Sequence, residues 1–171
     1  MKPLYLLGDT PVYAENAPLL LRSRRRLPDG YFSAGIVLGK SWKAEDLVWI
    51  LNSLYGGTFE EIPFRYDTGA RTFTFFGERA DQAHSLCDAL RDSWLHRSEN
   101  DHNLIPTMGS DTDTLKEFIE TVLLIGRAGS EAYYRNWKYY LIVTPDEDSL
   151  REARAEIALF AAEMEEGKRG R

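Results

Sequence analysis

The chain holds a single cysteine, Cys87, in 171 residues. One thiol closes no intrachain disulfide, so the fold stands without a covalent staple and does not depend on an oxidising compartment. Length makes this feasible, since a chain of about 150 residues already buries roughly two-thirds of its unfolded surface. Long apolar runs are also missing. The opening stretch offers one lysine, Lys2, and the short run Leu4 to Leu7. A secretory core needs about 7–15 apolar residues and a membrane span about 20. These absences point to a cytoplasmic protein with no membrane contact. Histidine is scarce as well: His84, His96 and His102. A structural zinc takes four ligands, and His84 with Cys87 on one predicted helix supplies two, so no metal or cofactor is expected. No internal repeat, low-complexity tract or linker is visible.

Against these absences stand 27 acidic and 21 basic residues, a net charge of −6. A net anion is repelled by nucleic acid and anionic lipid at long range, and suits a basic protein partner. The pattern along the chain predicts one α+β domain over residues 1–166, with 167–171 a disordered basic tail. Leu4 to Leu7 reads as a buried strand ended at Gly8-Asp9-Thr10-Pro11, and Leu19-Leu20-Leu21 as a second strand. Tyr31 to Leu38 is a third. Ser41 is placed to cap a helix whose face is Leu47, Ile50, Leu51 and Leu54, stopped at Gly56-Gly57. Residues 59–66 alternate. Asp67-Thr68-Gly69 then reads as a hairpin loop, and a return strand carries Phe73 and Phe75 on one face. Pro63 puts the first hairpin strand at a sheet edge. A helix follows Gly77, with Ala83, Leu86, Cys87, Leu90 and Trp94 inward.

Strand, helix, strand, strand, helix over 31–96 is the opening of a split β-α-β, ferredoxin-like unit with a mostly antiparallel sheet. Trp137 to Thr144 supplies the closing strand. Residues 97–136 become an insertion with a helix from about Thr112 to Ile125, capped by Asp111 or Asp113. Thr144-Pro145-Asp146-Glu147 reads as the capping box of a C-terminal helix with Leu150, Ala153, Ile157 and Phe160 inward.

Three surfaces compete for function. Trp137, Tyr139 and Tyr140 lie on a strand apolar on both faces; an open face there would be an aromatic patch that anchors a protein partner. This favours a non-catalytic adaptor, inhibitor or immunity-type protein. Arg22, Arg24, Arg25 and Arg26 form the one dense cationic segment, and with the aromatic strand they suit RNA or DNA. Finally, Ala34 to Ser41 spells a degenerate P-loop ending in Gly39, Lys40 and Ser41, which would make the protein a nucleotide-binding enzyme. Its interior, Ile36-Val37-Leu38, prefers extended strand to a tight phosphate loop. No nucleophile with a histidine base is framed by any motif, so the sequence leans against catalysis. It fixes no oligomeric state.

Overall fold

The structure, a computed structural model, describes residues 1–23, 27–56, 68–97, 107–110, 114–126 and 136–169. Its strands are β1 (Tyr5–Leu7), β2 (Thr10–Asn16), β3 (Tyr31–Val37), β4 (Gly69–Phe76), β5 (Thr107–Ser110) and β6 (Trp137–Thr144). The helices are α1 (Ala17–Ser23), α2 (Ala44–Tyr55), α3 (Ala80–Arg97), α4 (Leu115–Glu120, continued by a π turn over Thr121–Ile125) and α5 (Glu147–Arg169). The strands form one six-stranded sheet in the order β1-β2-β6-β3-β4-β5. Only β1 runs antiparallel to its neighbour; β2, β6, β3, β4 and β5 pair in parallel.

This overturns the antiparallel ferredoxin-like expectation. The return strand of a hairpin would run antiparallel to its sheet, whereas Ala34 pairs with Phe73 and Ile36 with Phe75 in parallel register. A parallel neighbour needs a crossover, and α2 supplies it. The first hairpin strand, residues 59–66 with Pro63, lies outside the described residues. The pairing of the Tyr31 strand with the Tyr140 strand is present, in parallel, with Ser33 opposite Tyr140.

Connections sort the helices by face. Steps from β2 to β3, β4 and β5 advance one way across the sheet, and α1, α2 and α3 pack on one side through Leu20, Leu51, Leu54, Ala83, Cys87 and Trp94. The step from β5 to β6 returns, and α4 and α5 pack on the other side through Phe118, Val122, Leu150 and Ile157. Crossovers of one hand demand this switch of face with direction. The result is a three-layer α/β domain with a doubly wound, Rossmann- or flavodoxin-like sheet.

Side chains explain both layers. Trp94 is fully buried, stacks on Tyr55 with ring centres 4.4 Å apart, and donates Nε1–H to Asn52 Oδ1 at 2.7 Å. On the opposite face Gly35 lets helix α4 close down: a Cβ there would sit 2.7 Å from Ile142 Cδ1 and Val122 Cγ2. A buried hydroxyl pair, Ser33 with Thr72 at 2.6 Å, is completed by Thr72 donating to the Gly126 carbonyl at 3.1 Å.

Several local expectations also change. Leu19-Leu20-Leu21 is helical, because Asn16 Oδ1 accepts from the Leu19 N–H at 2.7 Å and starts α1. Thr10 and Pro11, read as a turn, begin β2. β1 is an edge strand, with Leu6 half exposed rather than buried. The α2 N-cap is Lys43, without a side-chain cap bond, so Ser41 does not cap. Helix α4 is capped by Thr114 in a reciprocal box with Glu117; Asp111 and Asp113 lie outside the described residues. Asp146, not Thr144, caps α5, accepting from the Ser149 N–H at 2.8 Å. That helix runs through Arg169. Among the described residues no helix is long and apolar enough to cross a membrane.

Candidate functional site

In a doubly wound sheet, neighbouring strands whose following helices leave to opposite faces open a crevice at their carboxyl ends. Here β6, followed by α5, meets that condition with both neighbours, β3, followed by α2, and β2, followed by α1. A cleft of about 500 Å³ lies at that point. Ile36, Leu38, Leu47, Ile50 and Val143 give it apolar walls, and Leu21 of α1 closes one side. Its polar lining is Lys40, Ser41, Lys43, Asp46, Thr144 and Asp146.

Each group is held by local chain geometry. Gly39 passes so close to the next loop that a Cβ would lie 3.2 Å from Pro145. Thr144 is buried and donates to the Asp146 carbonyl at 3.2 Å, tying down the turn after β6. The Ser149 N–H holds the Asp146 carboxyl below the usual aspartate range. Lys40 and Lys43 are exposed at the rim. Among the described residues neither ammonium has an ion-pair partner. The α2 N-terminus beside them lacks a side-chain cap and leaves its first amides open.

Trp42 forms a further wall. Its Nε1–H donates to the Glu78 carbonyl at 3.1 Å, and the Arg79 guanidinium lies 4.3 Å from its ring centre. Arg79 Nη2 also donates to the Trp42 carbonyl at 2.9 Å. Arg79 holds a left-handed backbone at φ 62, uncommon for a side chain of its size. Two turns at the carboxyl edge, after β3 and after β4, are thereby locked together.

Sheet and cleft define a doubly wound α/β protein with an open crevice at the β3/β6 switch point. Comparison with known proteins assigns it to no group: no protein-family model, curated protein or solved structure matches the chain.

The residues singled out in the sequence fall in different places. Gly39, Lys40 and Ser41 come together in the cleft. The rest of the degenerate P-loop, Ala34 to Val37, is strand and cannot curl round phosphate. Tyr139 is buried on one sheet face, stacked on Phe32 at 4.6 Å, with its hydroxyl donating to the Pro28 carbonyl. Tyr140 is buried on the other face and Trp137 is half-buried. Of the three aromatic residues expected to anchor a protein partner, Tyr139 and Tyr140 are thus buried and Trp137 keeps partial exposure. Arg22 is exposed in the last turn of α1, while Arg24, Arg25 and Arg26 lie outside the described residues. His84 binds Thr107 Oγ1 at 2.8 Å and Cys87 points into the core, so the two do not converge. Sequence reasoning missed Trp42, Arg79 and Asp146. The usable signal was a pair of apolar strands, each entering a glycine or proline turn directly before a helix.

Proposed function

We propose that the protein binds a small phosphate-bearing ligand in the cleft at the β3/β6 switch point. The observation that carries this reading is the position of the cleft: the crevice between strands whose helices diverge is lined by Gly39, Lys40 and Ser41. That is where open α/β sheets take their ligands. Lys40 and Lys43 bring positive charge, and among the described residues neither is held in an ion pair, although Asp46 and Asp146 share the lining. Open amides at the α2 N-terminus favour an anion in the same place. The apolar walls accept the organic part of the ligand. Asp46 and Asp146 are acceptors suited to hydroxyl groups of a sugar. The reading keeps the Gly39-Lys40-Ser41 expectation and discards the P-loop around it. A cytoplasmic setting, expected from the sequence, agrees with it.

The test is thermal unfolding with and without pyrophosphate, ribose 5-phosphate and adenosine monophosphate, on wild type and on Lys40→Ala/Lys43→Ala. A ligand that binds only the native state raises Tm. The reading expects at least one of the three to do so, with the shift largely lost in the double variant and weakened by salt. No shift with any of them, or an equal shift in the double variant, would contradict it.

A further inference from the structure

Resting on that reading, we infer that the ligand carries a planar, uncharged ring which stacks on Trp42, so that the cleft takes a nucleoside phosphate rather than a sugar phosphate or pyrophosphate alone. Trp42 lines the cleft, whereas Arg79 does not. The guanidinium lies 4.3 Å from the indole centre and covers one face of the ring, so a stacking ligand would take the other. The Nε1 edge is engaged by the Glu78 carbonyl at 3.1 Å. The tilt of the indole is thus fixed from two directions before any ligand arrives. Preorganised surfaces of this kind lose little entropy on binding.

The chemistry of the ring narrows the partner. An indole attracts a cation through its electron-rich face, and Arg79 already uses that attraction. A second cation on the opposite face would be repelled across the ring by the guanidinium. A neutral heteroaromatic ring meets no such repulsion and stacks in offset fashion. Leu38, Leu47 and Ile50, which also line the cleft, supply apolar contact for its edge. Phosphate would then lie toward Lys40 and Lys43. Arg79, whose guanidinium packs on Trp42, holds the uncommon φ of 62.

Calorimetric titration of the wild-type protein with adenosine monophosphate and with ribose 5-phosphate tests the inference without any variant. Base stacking on an aromatic side chain predicts about ten-fold or greater preference for the nucleotide. Trp42→Leu should erase that preference, and Trp42→Phe should keep most of it. Equal affinity for the two ligands in wild type would overturn the stacking inference and leave the phosphate reading standing. Binding by neither would bring down both. An undiminished preference in folded Trp42→Leu would also overturn it.

Discussion

Asn16 and Glu147 meet across 131 positions of sequence: the Asn16 Nδ2–H donates to Glu147 Oε2 at 2.6 Å. The same amide group uses its oxygen to cap α1 through the Leu19 N–H. One side chain thus joins the end of β2, the start of α1 and the start of α5, all at the carboxyl edge where the cleft opens.

Replacing Asn16 by alanine removes both bonds, and we expect a loss of about 1–2 kcal/mol. Asn16→Asp keeps the cap but sets a carboxylate against Glu147, so it should regain only part of that loss. Chemical denaturation of the three proteins at neutral pH measures the order.

Gly35→Ala should destabilise by about 1–3 kcal/mol through overpacking. The new methyl would lie 2.7 Å from Ile142 and Val122 and 2.9 Å from Phe118. Pairing it with Val122→Ala should recover part of the loss, because space opens on the same face. Recovery in a double-mutant cycle is the readout; strict additivity would argue against the contact.

How much of this was legible beforehand can be argued from two strands. The segment Trp137 to Thr144 reads as strand from composition alone, and its apolar character on both faces is the signature of a strand buried in a parallel sheet. The same pattern also admits an aromatic face left open to a partner, and in the structure Tyr139 and Tyr140 are buried while Trp137 is half-buried. In β4, Thr72 and Thr74 alternate with Phe73 and Phe75, a pattern that equally suits an antiparallel strand, so β4 could be placed as a strand while its parallel alignment to β3 could not. At the site, Gly39, Lys40 and Ser41 were visible as a motif. The Trp42–Arg79 stack was not, because it depends on a non-glycine residue in a left-handed turn.

Asp146 makes stability pH-dependent. Its carboxyl is held below the ordinary aspartate range by the Ser149 N–H, so its contribution is present above the unfolded-state value and is lost as pH falls through the folded one. Asp146→Ala should be less stable than wild type at pH 7, and the gap should close toward acid pH. Urea midpoints across that range decide; a gap that widens on acidification would be inconsistent with the cap.

Cys87 is buried among Ala83, Trp94 and Phe73, and desolvation pushes its thiol far above the usual range. Deprotonation is needed for attack, so native protein should not react with a disulfide reagent at neutral pH. Unfolding in denaturant should release one reactive thiol. Rapid labelling of the native state would show that this layer opens.

The most direct test of ligand binding at the switch point is an amide NMR titration of the wild-type protein with adenosine monophosphate. Saturable shifts concentrated at Gly39, Lys40, Ser41 and Trp42, and across the cleft at Thr144 and Asp146, are the predicted result. Shifts clustered away from the carboxyl ends of β3 and β6, or none at all, would contradict it.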